Sequence, residues 1–203
     1  MSASGPRAVR IDVRSLLRNT PATSRPNLVT RPTGRAVRDA IERCFLGVAR
    51  VPLVSLIDLT RVPVLDFSCA DEVVARLLVK YLKPDRPLDA FFLFRAAGDT
   101  HRPAVDAVLG RHDLAAVCDL GHGCCQLLGT ASEDEGVAWR SVEDRRTIAP
   151  GGLAAILGDR GDAVLARLAE RRLVYRGPNG TSLALSAVTS QRALTLNHHG
   201  EVT

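Results

Sequence analysis

The amino-acid sequence predicts an α/β protein, in which a mixed sheet flanked by helices is followed by a small C-terminal α+β unit. Apolar runs with strand character alternate with amphipathic helical segments over residues 1–128. Residues 129–190 instead have the pattern of three short helices and a hairpin. Apolar residues make up 46% of the 203 residues, enough for a buried core throughout. We therefore predict two domains with these bounds, and a polar, flexible tail over residues 191–203.

Five segments of the first domain carry strand signals. Apolar and polar residues alternate in the segment 9–17, which indicates a half-buried strand. Residues 54–59 and 88–94 are dense apolar runs, typical of buried central strands. Residues 114–117 and 124–128 are shorter apolar runs that also fit strands.

Apolar residues at helical spacing predict three helices between these strands. The first begins at Thr33, whose hydroxyl can accept a backbone N–H of the first turn. The second has an apolar stripe over residues 70–81 and can be capped by Asp66 or Ser68. The third begins near residue 99.

Charge is unevenly distributed along the chain, whose net charge is +5. Residues 1–50 hold ten arginines against three acids, a net +7, whereas residues 51–138 are net −5 and residues 139–203 net +3. Only two positions in the whole chain are lysine. The basic first segment either complements the acidic middle within the fold or forms a surface for an anionic partner.

The sequence also predicts the compartment. No run of about 18 apolar residues is present, so we expect no membrane span. The first 20 residues lack the apolar stretch of a signal peptide, so we expect a cytoplasmic protein. Five cysteines, an odd number, argue against a disulfide framework.

A short acidic motif follows the second predicted strand. Asp58 ends that strand, and Asp66, Phe67, Ser68 and Cys69 then open a helix. This order resembles the centre of STAS domains, the domains of anti-sigma factor antagonists and of transporter tails. In that resemblance the phosphorylated serine of the antagonists falls on Phe67, Ser68 takes the second serine position, and Cys69 replaces a glycine.

Two motifs resemble a related family more closely. Residues 31–35 read Arg-Pro-Thr-Gly-Arg and residues 68–72 read Ser-Cys-Ala-Asp-Glu, and each opens a predicted helix. They are similar to motifs of a STAS-like domain family of unknown function, often found near histidine-kinase-like ATPases. The resemblance covers residues 9–120. It implies a protein-binding or switch module, with a kinase-like ATPase or a regulator of a sigma pathway as partner.

The candidate partner-binding or switch residues are therefore Asp66, Ser68, Asp71 and Glu72. A phosphate on Ser68 would gain from the free N–H groups at the helix start but would meet three carboxylates. The alternative is that Ser68 only caps the helix. We expect a non-enzymatic, bacterial-type regulatory protein in signalling, which docks a protein partner around residues 66–72; its oligomeric state is not predicted.

The second half resembles a winged helix. Three predicted helices precede a hairpin over residues 173–186, whose Asn-Gly pair favours a tight turn. The third helix and the wing would offer five arginines to DNA phosphates, namely Arg160, Arg167, Arg171, Arg172 and Arg176. Asp159 and Asp162 oppose DNA binding there, and no cluster of Ser, Thr, Asn or Gln is present to read base edges. A DNA-binding transcription regulator is thus the alternative to a winged helix used for dimerisation or partner docking.

Other chemistry finds little support in the sequence. Four potential zinc ligands cluster at Cys118, His122, Cys124 and Cys125, but they lack a Cys-x-x-Cys pair, and adjacent cysteines on a strand point to opposite faces. No glycine-rich phosphate loop is present, and nothing ties a nucleophile to a histidine. We expect no metal, no cofactor and no catalytic residues.

Overall fold

The computed structural model describes residues 5–18, 27–45, 51–96, 98–121 and 124–190, and the backbone of 194–195. The first 129 residues form β1 (Arg7–Asp12), α1 (Val13–Arg18), α2 (Arg31–Cys44), β2 (Leu53–Asp58), α3 (Phe67–Ala70), a π-helical turn (Asp71–Ala75), α4 (Arg76–Leu82), β3 (Ala90–Arg95), α5 (Gly98–Arg111), β4 (Ala115–Asp119) and β5 (Cys125–Gly129). The remaining elements are α6 (Glu133–Arg145), β6 (Thr147–Ile148), α7 (Ala154–Leu157), a 3-10 turn (Gly158–Arg160), α8 (Gly161–Glu170), β7 (Tyr175–Arg176), β8 (Ser182–Leu183), α9 (Leu185–Ser190) and β9 (Leu194–Thr195).

The main sheet has the strand order β5-β4-β3-β2-β1-β9. Neighbouring strands from β9 through β4 are parallel, and β5 is antiparallel to β4. Five strands of five or six residues make up its body, and the two-residue β9 extends one edge. The predicted α/β class, with a mixed sheet flanked by helices, is confirmed.

Both faces of the sheet are covered, because every residue of β2 is buried. Leu53 and Ile57 face a core formed with helices α2 to α5. Val54 and Leu56 face a second core, formed with side chains from α6, α8 and α9. The C-terminal elements therefore share a core with the sheet, and a separate winged-helix domain is not confirmed.

The first predicted strand is shorter than expected. Asp12 ends β1, and its side chain accepts a hydrogen bond from the backbone N–H of Arg14 at 3.0 Å. This cap starts α1 at Val13, so the prediction of a strand reaching residue 17 is wrong. Apolar alternation continues past the cap, which is why it did not reveal the change.

The first long helix begins earlier than predicted. Its N-cap is Thr30, whose Oγ1 accepts a hydrogen bond from the N–H of Thr33 at 3.3 Å, so the choice of Thr33 as the cap is wrong. Pro32 lies in the first turn, where its missing N–H leaves no helical bond unmade. The segment 19–27, predicted as a loop, lies almost wholly outside the described residues.

The C-terminal layer follows the predicted order with local differences. The hairpin is present, and its strands lie in a three-stranded sheet of order β6-β8-β7. The apolar spacing of residues 153–157 predicts that Ile156 faces inward, but in the one-turn helix α7 its side chain is 47% exposed. Asp162 is also the residue whose type and position predict the cap of α8, but its carboxylate instead accepts a hydrogen bond from the N–H of Gly151 at 3.0 Å. Within the predicted tail, Leu194–Thr195 form β9 beside β1, and the rest lies outside the described residues.

Candidate functional site

The two motifs that open α2 and α3 contact each other. A β-carbon built on Gly34 would lie 3.0 Å from the Cα of Cys69 and 3.1 Å from the Cβ of Glu72. The Cys69 thiol also donates to the carbonyl of Thr30 at 2.9 Å. Glycine at position 34 thus allows the starts of the two helices to pack closely.

Buried carboxylates lie at the centre of this contact. Asp71 is 3% exposed and Glu72 is fully buried, and both belong to the π-helical turn. Nη1 of Arg31 lies 2.6 Å from Asp71 and 3.0 Å from Glu72, and Nη1 of Arg38 lies 2.6 Å from Glu72. The arginines of α2 therefore neutralise the acids of the turn.

Two further groups complete the network from the other side. Nε of Arg76 lies 3.1 Å from Asp71 and 3.3 Å from Glu72, and Nε2 of His112 lies 2.6 Å from Asp71. Burial alone raises the pKa of Asp71, but hydrogen bonds from Arg31, His112 and Arg76 outweigh it and hold that pKa well below its usual range. Asp71 and Glu72 are therefore structural ion-pair partners and not free docking groups.

The other two candidate residues lie at the start of α3. Asp66 is its N-cap, and Oδ1 accepts hydrogen bonds from the N–H of Cys69 at 2.8 Å and from the hydroxyl of Ser68 at 2.9 Å. Ser68 is half-buried. The structure thus places Asp66 and Ser68 at the surface end of the site and Asp71 and Glu72 beneath it.

An exposed apolar surface surrounds this helix start. Leu28 pairs with Leu65, which brings the segment before α2 alongside the segment before α3. Val29, Val64 and Phe67, which we call the apolar patch, are 45%, 43% and 39% exposed. Single exposed apolar side chains are ordinary, but three on adjoining segments are typical of a contact surface.

The charged groups beside the apolar patch are arginines and the capping carboxylate of Asp66. The guanidinium of Arg111 lies 5.7 Å from the centroid of the Phe67 ring. Arg31 is partly exposed next to Val29, and Arg61 is exposed in the loop before Val64. The patch therefore combines an apolar centre with a border of three arginines and one acid, Asp66.

Other basic groups of the first 50 residues are used inside the fold. Arg10 pairs with the buried Asp58 at 2.5 Å, as Arg31 and Arg38 pair with the acids of the π-helical turn. For these three arginines, the basic first segment complements the acidic middle of the chain within the fold.

The arginines considered for DNA binding have partners of their own. Arg160 pairs with Asp134 at 2.8 Å, and Arg167 and Arg171 pair with the buried Glu135 at 3.2 and 2.8 Å. Two more are anchored elsewhere: Arg172 pairs with Asp89 and lies over the ring of Phe91, and Arg176 donates to the carbonyl of Gly180.

The exposed face of α8 is also poorly suited to DNA. Its exposed side chains are Asp162, Ala163, Arg167 and Glu170, of which two are acidic. Phosphate contacts need basic or hydrogen-bonding side chains at these positions. The helix that would enter the groove therefore presents little for DNA to bind.

Thiol and imidazole groups do not converge on a reaction centre in the described residues. Burial raises the pKa of Cys44 to about 11 and that of Cys69 and Cys125 to about 12. His101 is buried, with Nε2 2.8 Å from the carbonyl of Val62. No three His, Cys, Asp or Glu side chains come together there as a metal site, and His122 lies outside the described residues.

No family model, curated protein or solved structure matches the chain. Within the part of the chain that the structure describes, no helix has the length and apolar character needed to cross a bilayer.

The sequence reasoning identified both motifs but missed that they contact each other. The contact could have been predicted from the charges, since one motif contains arginines and the other contains two adjacent acids.

Proposed function

We propose that this chain is a non-enzymatic regulatory protein of the cytoplasm, a STAS-like interaction module whose second sheet face is covered by a winged-helix-like layer. The apolar patch of Val29, Val64 and Phe67 docks a protein partner. A kinase-like ATPase or a sigma-pathway regulator fits the resemblance of the motifs at residues 31–35 and 68–72.

The observation that carries this proposal is that the start of α3 combines buried, ion-paired carboxylates with exposed apolar side chains. Asp71 and Glu72 are buried and fully engaged with arginines, whereas Val64 and Phe67 are exposed beside them. A rigid, ion-paired base under an exposed apolar surface suits recognition, because a preordered surface loses little entropy when a partner binds.

The polar groups nearby support a binding role over catalysis. The hydroxyl of Ser68 donates to the capping carboxylate of Asp66, and no hydrogen bond joins it to a histidine in the described residues. The same Oδ1 of Asp66 accepts the N–H of Cys69 at 2.8 Å, so the hydrogen bond from Ser68 is explained by the cap of the helix. Raised thiol pKa values in Cys44, Cys69 and Cys125 likewise disfavour a thiolate nucleophile.

The C-terminal layer supports a winged-helix-like interpretation by its order of elements. A helix, a short strand, two helices and a hairpin follow one another, and the strands have the order β6-β8-β7. We propose that this layer braces the sheet and does not read DNA, since Arg160, Arg167, Arg171 and Arg172 are paired with acids of the fold.

The test is a comparison of three full-length chains carrying the same affinity tag, produced in the source cells. Phe67→Asp changes the apolar patch, and Ile156→Asp changes an exposed apolar residue on another surface. Proteins recovered with the native chain are quantified by mass spectrometry, and the affinity of each recombinant candidate is measured by calorimetry. We expect one partner whose Kd rises at least about 30-fold with Phe67→Asp and is unchanged with Ile156→Asp, as for a hot-spot residue.

Equal loss of affinity in both variants, or retention in both, would contradict the docking role of the patch. A parallel titration of a 30-base-pair duplex at 50 and 200 mM salt separates the DNA alternative. Tight binding that weakens steeply with salt and is lost in Arg176→Ala would favour a transcription regulator instead.

A further inference from the structure

The main sheet has two edges of very different length. At one edge β9 has two residues, and at the other β5 has five. At the two ends of β5, the N–H of Thr130 donates to the carbonyl of Leu114 at 2.8 Å, and the N–H of Leu120 donates to the carbonyl of Cys124 at 3.4 Å. Because hydrogen-bonded pairs alternate in an antiparallel ladder, Gln126 and Leu128 bond β4, and the N–H and C=O groups of residues 125 and 127 point outward.

In its own sequence, the β5 strand lacks the charges and prolines that commonly protect a sheet edge against strand addition. Its sequence, Cys-Gln-Leu-Leu-Gly, contains no charge and no proline. In monomeric proteins, exposed sheet edges are commonly protected from pairing by lysine, proline, β-bulges or a covering helix or loop. A neutral, half-buried edge with outward N–H and C=O groups is the kind of edge that accepts another strand.

A groove runs between this edge and α6. It has a volume of about 340 Å³ and is lined by Cys125 and Leu127 from β5 and by Trp139, Arg140, Glu143 and Asp144 from α6. A strand added to β5 would direct every second side chain toward this groove, because side chains alternate between the two faces of a sheet.

The charges of the groove favour a basic side chain. Glu143 Oε1 accepts a hydrogen bond from the Ser186 hydroxyl at 2.5 Å and lies 3.6 Å from Nη1 of Arg146, whereas its buried Oε2 has no hydrogen-bond partner among the described residues. Asp144 is exposed and forms no ion pair in the same part of the chain. The lining residues include one cation, Arg140, and two acids, and the neighbouring Arg146 faces Oε1 of Glu143, which leaves Oε2 of Glu143 and the carboxylate of Asp144 for a basic partner.

A second copy of the chain fits this edge poorly. Strands in a sheet lie about 4.8 Å apart, whereas packed helices need about 8–10 Å. Helix α5 packs directly on β5, since a β-carbon on Gly129 would lie 2.8 Å from the Cβ of Leu109, and α6 flanks the other face. If two copies paired through β5, the helices of one copy would be brought closer to those of the other than packed helices allow. A peptide strand carries no helices and can pair with β5 without this clash.

We propose that the β5 edge binds an extended peptide segment that carries a lysine or arginine facing the groove. The peptide continues the sheet through hydrogen bonds to residues 125 and 127, and its basic side chain pairs with Glu143 and Asp144. This surface is separate from the apolar patch, so the chain has two docking sites.

The first test uses eight-residue capped peptides and the full-length protein in solution. The probe alternates valine and lysine, one control alternates valine and glutamate, and another is the lysine probe with N-methylated backbone amides on one edge. Titration followed by amide exchange should show the lysine probe binding, with the N–H groups of Cys125 and Leu127 becoming protected. The glutamate peptide should bind at least about fivefold more weakly, and the N-methylated peptide should not bind.

Two variants connect this binding to the structure. Leu127→Pro removes an outward N–H that β4 does not use, so it should abolish probe binding while the amides of Gln126 and Leu128 stay protected. Asp144→Lys, an exposed change that leaves the strand intact, should reverse the preference toward the glutamate peptide. No binding of the lysine probe, equal binding of the N-methylated peptide, or an unchanged preference in Asp144→Lys would each overturn the proposal.

Discussion

Gly34 and Cys69 meet where α2 crosses the start of α3, and the gap between them has no room for a β-carbon without displacing backbone. This close approach places Arg31 and Arg38 over the buried carboxylates of the π-helical turn. The packing and the ion pairs are therefore one structural unit.

We expect Gly34→Ala to destabilise the protein. Alanine normally stabilises a helix interior by about 0.5–1 kcal/mol over glycine, but overpacking against the Cα of Cys69 costs about 1–3 kcal/mol. The net loss should be about 1 kcal/mol in the free energy of urea unfolding. Gly136→Ala in α6 is the matched control, since only the flexible end of Arg140 lies near its added β-carbon, and it should stabilise. If both variants stabilise, the contact is looser than described.

Asp71→Asn should lower the free energy of unfolding at pH 7 by about 3 kcal/mol, as expected when one member of a buried ion-pair network is lost. Because the folded-state pKa of Asp71 is depressed, its ionised form stabilises the protein above the unfolded pKa of about 3.9 and progressively less as pH falls below it. The difference between the native chain and the variant should therefore shrink between pH 5 and pH 2. The control is Asp85→Asn in the exposed turn after α4, which has no ion pair among the described residues and should change stability by less than about 0.5 kcal/mol. A difference that is constant with pH would contradict the ion-pair role.

Arg171→Ala should destabilise the C-terminal layer by about 1 kcal/mol, because its guanidinium bonds both the buried Glu135 and the carbonyl of Thr130. Arg176→Ala should change stability by less than about 0.5 kcal/mol, since its described bond is to a carbonyl of the wing turn. Urea unfolding measures both effects. Equal, negligible effects would mean that Arg171 is available for other partners, DNA included.

One thiol per chain should react quickly with a disulfide reagent at pH 8. Cys124 is exposed, whereas Cys44, Cys69 and Cys118 are buried, and burial raises the pKa of Cys125 to about 12. The absorbance of the released chromophore should show one fast-reacting thiol per chain. The other four thiols should react only at the rate at which the protein unfolds. The fast phase should vanish in Cys124→Ser; its persistence would place a second reactive thiol at the surface.

Local patterns were sufficient to predict much of the fold. Apolar alternation and helical spacing depend only on neighbouring residues, and they identified the central strands, the long helices and the C-terminal hairpin. They were less informative about boundaries, because Asp12 caps a helix within an alternation that continues past it, and Thr30 caps a helix before its apolar spacing begins. Asp66 or Ser68 was predicted as the cap of the second helix for an equally local reason, and the structure has Asp66 in that role.

The sequence by itself determined the α/β class, the alternation of elements and the position of the two helix-opening motifs. Only the tertiary structure decided that these motifs contact each other, that Asp71 and Glu72 are buried among arginines, and that the C-terminal elements cover the second face of the sheet. Ion pairing and core sharing depend on distances between segments tens of residues apart. Periodicity shows that a face will be buried, and packing alone determines which element buries it.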